Sequence, residues 1–375
     1  MKILLAPNAF KESLSAIEVA DALEAGIRAD RPDVTVEKVP LADGGDGTLE
    51  VLASFWRGSI LRLKSVDPLF REIEVPVGFD EGGETAVIEM ARVSGLALLQ
   101  DEEKNPYQTS TLGLGILIVE VARIGARRIY LGIGGSATVD GGIGMGVGLG
   151  FRHSDSKGSA VLPRGGNLLA IERIAPPTQA PWVDHVEVEV LSDVTNPLCG
   201  ERGAARVFGP QKGASAEQVE FLEKGLHHLS ELWKRDLGKD VACVPGSGAA
   251  GGVGAGAMVY LNARLVSGAE KMLEITGLPS KISACDLVVT GEGHLDRSSL
   301  EGKLPGKVAQ IAKGLGVPCI GVFGLLEAEA EDSLREVGFT QLIPIAPEGT
   351  LLKEKKRRAR DFLEETGKRI GRRLV

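Results

Sequence analysis

The chain reads as an α/β protein built from two α/β domains, and three observations predict this. Apolar strand-like runs alternate with helix-like segments at both ends of the sequence. A block of alternating β segments interrupts that rhythm in the middle. At 375 residues the chain is also long enough for two cores.

Taken in order, Lys2–Ala6 reads as a buried strand, Ala16–Asp30 as a helix and Asp33–Pro40 as a second strand, a β-α-β opening. Alternating β segments then run from about Ser59 to Glu89. A helix near Leu112–Gly125, a strand Arg128–Gly132, a strand Glu187–Leu191 and a helix near Ala216–Leu237 follow. After Lys281 the β-α-β pattern returns, with Asp286–Thr290, a helix Gly306–Leu315, Pro318–Gly324, Gln341–Ile345 and a terminal helix. Residues 1–60 and 283–375 are therefore expected to form one domain, with residues 61–282 inserted as a second. Ligands are expected in the cleft between them.

Composition narrows the function. Hydrophobic content of 43% and charged content of 25% suit a globular protein. A net charge of −8 and 4% aromatic residues disfavour nucleic acid as a partner. No apolar run is long enough to span a membrane. The four cysteines are scattered without a C-x-x-C pair, which suits reduced thiols in a cytoplasmic protein. The apolar start, Ile3–Ala6, is too short for a signal-peptide core. Fifty glycines exceed the usual ~7% without any repeat, so tight turns and close backbone approaches are expected.

Five segments concentrate the polar chemistry. Leu191–Gly213 (LSDVTNPLCGERGAARVFGPQKG) holds Asp193, Asn196, Arg206 and Lys212 on a glycine- and proline-punctuated path after a strand. Ala6–Ser15 puts Lys11 at the carboxyl end of the first strand, where open α/β sheets bind ligands; it is a phosphate partner or a surface lysine before a helix capped by Ser13 or Ser15. Leu41–Thr48 (LADGGDGT) sets Asp43 and Asp46 around a glycine pair, a Mg²⁺ contact or an Asx turn. Gly132–Gly142 (GIGGSATVDGG) offers backbone N–H groups to an anion before a helix. Val288–Gly306 crowds Glu292, His294, Asp296, Arg297 and Lys303 beyond a strand. A sixth stretch, Gly246–Gly251, matches G-x-G-x-x-G formally, but no good strand precedes it. No P-loop, nucleophile elbow or protein-kinase motif occurs.

In order and spacing, APNAFKESLSA, LADGGDGT, GIGGSATVDGG, SDVTNPLCG, FGPQKGA, GAAGGVGAG and VVTGEGHLD resemble the type I glycerate kinase family over nearly the whole chain. The resemblance implies a flavodoxin-like, doubly wound parallel domain formed by both chain ends, and an inserted mixed α/β domain. It also implies ATP-dependent, Mg²⁺-assisted phosphorylation of D-glycerate, with 2-phosphoglycerate the favoured product. On that basis Asp193 is expected to accept the substrate hydroxyl proton and Lys11 to offset phosphate charge. Arg206, Lys212, Asn196 and His294 would hold the substrate. Gly134, Gly135, Ser136, Gly248, Gly251 and Gly252 would give backbone donors to ATP, and Asp43, Glu292 and Asp296 would organise Mg²⁺. A homo-oligomer is compatible with this reading. Asn8, Ala9, Glu12, Val139 and His294 depart from the family's usual residues, which bears on substrate identity. The alternatives are a paralogue acting on another small hydroxy acid, a non-catalytic metabolite-binding protein, and, from G-S-G-A-A-G alone, a nicotinamide-dependent oxidoreductase.

Overall fold

The computed structural model describes residues 1–178, 185–295, 303–326 and 331–374. Its strands are, in chain order, β1 (Lys2–Leu5), β2 (Thr35–Lys38), β3 (Ser59–Val66), β4 (Glu72–Phe79), β5 (Thr85–Glu89), β6 (Arg128–Gly132), β7 (Arg152–Ser154), β8 (Arg173–Ala175), β9 (Glu187–Leu191), β10 (Arg264–Val266), β11 (Leu287–Leu295), β12 (Cys319–Leu326) and β13 (Gln341–Pro344). The chain forms two compact units, Met1–Asp43 with Ala269–Val375, and Gly44–Gly268.

The first unit is a five-stranded sheet in the order β13-β12-β11-β1-β2, every pairing parallel. Counted within this unit the order is 2-1-3-4-5, the doubly wound arrangement whose ligand crevice lies where β1 and β11 part. The strands are apolar because helices cover both faces: Ile3, Leu4, Leu5, Val288 and Val289 are buried. The helix Ala16–Asp30 starts at Ser15, whose hydroxyl receives the Glu18 N–H while the Glu18 carboxylate receives the Ser15 N–H. It packs on the terminal helix Ala359–Arg373 at glycines: a Cβ on Gly26 would sit 2.0 Å from the Glu364 carbonyl oxygen.

The second unit is a mixed sheet in the order β10-β9-β6-β5-β4-β3. Strands β10, β9, β6 and β5 run parallel, and β4 and β3 close the edge antiparallel. The exposed, alternating β3 suits an edge. The helix Thr48–Phe55 packs under β4 and β5, with Leu49 and Ala53 facing Gly78. The helices Gly268–Thr276 and Leu278–Ser283 join the first unit through Glu270–Lys307 and Lys281–Glu37 ion pairs. The unit boundaries thus fall at 43/44 and 268/269, where the sequence pattern placed them at 60/61 and 282/283.

A polar cluster is sealed into the second core. The Trp233 Nε1–H donates to the Tyr260 hydroxyl at 2.9 Å, and that hydroxyl lies 2.8 Å from His153 Nε2. The Tyr260 hydroxyl thus joins the indole and the imidazole in one chain of hydrogen bonds. Burial lowers the His153 pKa from 6.5 to about 4. The folded state favours the neutral ring, so its stability is retained above pH 6.5 and lost as pH falls toward 4. Between pH 7.5 and pH 5 this one group should cost about 2 kcal/mol. Urea unfolding at the two pH values should record a smaller loss for His153→Phe than for the unaltered protein; equal losses would remove His153 from this role.

Candidate functional site

The parallel strands of the second unit end in one line. Val266 pairs with Leu191, Leu191 with Gly132 and Gly132 with Glu89. The residues just beyond, Ser267, Asp193, Gly134 and Met90, therefore share the carboxyl edge of the sheet, where α/β proteins bind ligands.

Beyond β6 the backbone turns through Gly134, Gly135 and Ser136. Gly135 has φ +68°, is exposed, and its missing Cβ would lie 3.1 Å from Ala91 Cβ and 3.5 Å from an Asp46 carboxylate oxygen. Below this turn the loop is anchored by Asp140, fully buried, whose carboxylate receives Thr111 N–H (2.9 Å), Thr111 Oγ1–H (2.7 Å), Gly142 N–H (3.0 Å) and Gly144 N–H (3.3 Å). Burial pushes the Asp140 carboxyl upward, and the Thr111 donors followed by the glycine N–H groups oppose it. Lys212 enters from beneath. Its Nζ donates to Ser136 Oγ at 2.6 Å and to the Thr138 carbonyl oxygen at 2.8 Å, with only 3% of the residue exposed. Burial pulls Lys212 down from 10.5 to about 7, with Asp140 opposing.

Asp193 is exposed, and its Oδ1 accepts the Ser267 hydroxyl proton at 2.6 Å. Asn196 is turned into its own loop: its side-chain amide donates to Arg202 O at 2.8 Å and its carbonyl accepts Gly248 N–H at 2.9 Å. Gly248 and Gly251 are buried where backbones meet, with missing Cβ positions 2.1 Å from Pro197 O and 1.9 Å from Thr138 O. Gly252 lies against Gly141 Cα in the same way, at 2.8 Å. Gly251 and Gly252 thus let the segment Ala249–Tyr260, left-handed at residues 250–252 and helical beyond them, press on the 138–142 loop. Residues 240–245 form no strand, so the G-S-G-A-A-G match lacks the strand–turn–helix that a dinucleotide site requires.

Arg206 lies on the short helix Ala204–Phe208 and gives both terminal nitrogens to Glu220, at the surface. Sequence reasoning set it beside Lys212 as a substrate clamp, yet the two point to different surroundings. It also missed a set at the end of β5. Glu89, 1% exposed, accepts Leu49 N–H and the Arg92 Nε–H, each at 2.9 Å, and Arg92 Nη2 reaches Glu50 at 2.7 Å. Burial raises the Glu89 carboxyl. The signal available was an acid closing the alternating run TAVIE.

The first unit holds its own cleft, about 370 Å³. It lies at the carboxyl ends of β11 and β12 and beside the loop after β1, and its walls include Lys11, Glu292, His294, Lys303, Lys355 and Lys356. Lys11, Glu292 and His294 are thereby brought to one place, as their sequence segments suggested. Glu12, at φ +60°, pairs with Lys356 at the rim. Asp43 is half-buried at the end of this unit's first segment. Asp296 lies outside the described residues. Among the described residues no group of three or more His, Cys, Asp or Glu side chains is arranged to hold a metal ion, and no helix is long and apolar enough to cross a membrane.

Comparison with known proteins agrees with this architecture. Residues 3–375 match the glycerate kinase family model. The chain is 44% identical to the glycerate 2-kinase of Escherichia coli K12 over 326 residues, 87% of this chain and 86% of that protein. It is 40% identical to the glycerate kinase of Bacillus subtilis 168 over 371 residues, covering 99% and 97%. A crystal structure assigned to a glycerate kinase 2 of Salmonella typhimurium LT2 superposes with a TM-score of 0.88 at 37% identity, over 100% of this chain and 98% of that one. With the sheet orders, the glycine loops and the end-to-end match in agreement, the chain belongs to the glycerate kinase family.

Proposed function

We propose that this protein transfers the γ-phosphoryl group of ATP to the 2-hydroxyl of D-glycerate, making 2-phosphoglycerate. The observation that carries this reading is Asp193, an exposed carboxylate one strand away from the Gly134–Ser136 turn in register at the sheet's carboxyl edge. A carboxylate there can orient a hydroxyl and take its proton, and the turn can present N–H groups to phosphate oxygens. Phosphoryl transfer needs little covalent help, so alignment and charge compensation carry the rate.

In the first unit, Lys11 and Lys303 beside Glu292 supply the mixed charge that a magnesium–phosphate group would meet. Mg²⁺ usually keeps several waters and takes one or two carboxylates plus phosphate oxygens, so Glu292, with Asp43 a further candidate, would suffice for it without a protein cage. When bound, the ion would neutralise charge on the phosphates. Four free thiols suit a reducing cytoplasm.

Phosphorus NMR of the full chain with Mg-ATP and D-glycerate should develop one phosphomonoester resonance assignable to 2-phosphoglycerate. A 3-phosphoglycerate signal would overturn the regiochemistry, and no glycerate-dependent product would overturn the activity. Asp193→Asn should lower kcat at least ~10²-fold with the fold intact, as expected for loss of a general base; an unchanged kcat would exclude it. Arg206→Ala should leave kcat/KM within about twofold, because exposed ion pairs such as Arg206–Glu220 contribute little. A large rise in KM would return Arg206 to the substrate.

A further inference from the structure

We propose that Lys212 is a positioning residue that acts through Ser136, its ammonium turning the Ser136 hydroxyl proton outward to an anion held on the Gly134–Ser136 turn. This rests on the reading of that turn as an anion cradle. Lys212 is enclosed beneath the loop, so a solute on the exposed side of Gly135 meets the turn before it meets the lysine. The influence of the lysine must therefore pass through the groups it touches, Ser136 Oγ at 2.6 Å and Thr138 O at 2.8 Å.

An ammonium has donors and no lone pair, so a hydroxyl bonded to it accepts, and the hydroxyl's own proton is directed elsewhere. With Lys212 charged, Ser136 shows an outward donor beside the N–H groups of the turn. A neutral amine has a lone pair, so the Ser136 proton turns inward to Nζ and the hydroxyl shows only lone pairs outward. The same turn then repels the anion it had attracted. Asp140 is the charged group that favours the ammonium electrostatically; Lys104, whose backbone packs on Gly213, sends its own ammonium to Asp101. Burial places the exchange near neutral pH.

The test uses sulfate, which has no titrating proton between pH 6 and 9, followed through the backbone amides of Gly134 and Gly135 in NMR titrations of the full chain at constant ionic strength. Sulfate should bind at least about tenfold more weakly at pH 9 than at pH 6, the scale of one hydrogen bond to a charged partner. Lys212→Met should bind weakly and equally at both pH values, and Ser136→Ala should be weak at pH 6 with a flattened dependence. Equal affinity at pH 6 and pH 9 in the unaltered protein would overturn the proposal while leaving the cradle in place, and that comparison needs no variant. Ser136→Ala with full affinity and slope would also overturn it. No response of the Gly134 and Gly135 amides at either pH would remove the cradle and the proposal together.

Discussion

A carboxylate without access to water, Asp140, anchors the loop at the carboxyl edge of the second unit's sheet. Such a group is costly unless its lone pairs are filled, and here four donors converge on it. Two come from Thr111 and two from glycine N–H groups entering the helix Ile143–Gly148. The Thr111 hydroxyl is used twice, donating to Asp140 and accepting from Met145 N–H at 2.8 Å. Two stretches of chain, at Thr111 and at Asp140–Met145, are thereby tied to one point. The exposed turn at Gly135 is held in shape by bonds made below it, where water does not compete.

The glycines of GAAGGVGAG belong to the same construction. Gly251 at φ +71° admits a backbone geometry that side chains rarely adopt, and it also gives Thr138 O room. The left-handed bend at residues 250–252, from which the helix runs on to Tyr260, can thus lie directly on the loop that Asp140 anchors. Lys212 reaches that loop from another side and bonds the same Thr138 carbonyl. Gly248, Gly251 and Gly252 thus serve packing of backbone on backbone, whereas Gly135 is exposed.

The α/β class, the long helices Ala16–Asp30 and Ala216–Leu237, and the strand ends bearing Asp193 and Gly134 were legible in the sequence because each rests on local signals: apolar periodicity, capping serines and glycine after a strand. Lys11 follows β1, whereas Glu292 and His294, expected beyond a strand ending at Thr290, lie within β11, which runs on to Leu295; all three line one cleft because β1 and β11 are parallel neighbours. What stayed hidden depends on depth and on pairing across long sequence separations. Nothing local tells that Glu220 occupies Arg206, that Glu89 and Glu50 share Arg92, or that GSGAAG packs on Pro197 and Thr138. The unit boundaries shifted for a related reason. The helix Thr48–Phe55 is assigned by what it touches, Gly78 on β4 and the Glu89 carboxylate at the end of β5.

The contrast between Arg206 and Lys212 explains why charge alone predicts a site poorly. They stand six positions apart, and as sequence both are cations in a glycine-rich segment. The helix Ala204–Phe208 leaves Arg206 at the surface, where solvent screens its bond to Glu220. The Pro210–Lys212 turn, ended by Gly213 at φ +93°, carries Lys212 inward. There the low dielectric strengthens every interaction it makes, and makes its charge expensive to keep. Burial moves the exchange between its two protonation states down toward neutral pH. The hydroxyl it touches inherits that sensitivity, so a residue with no direct contact to an anion can still decide how the turn above it binds one.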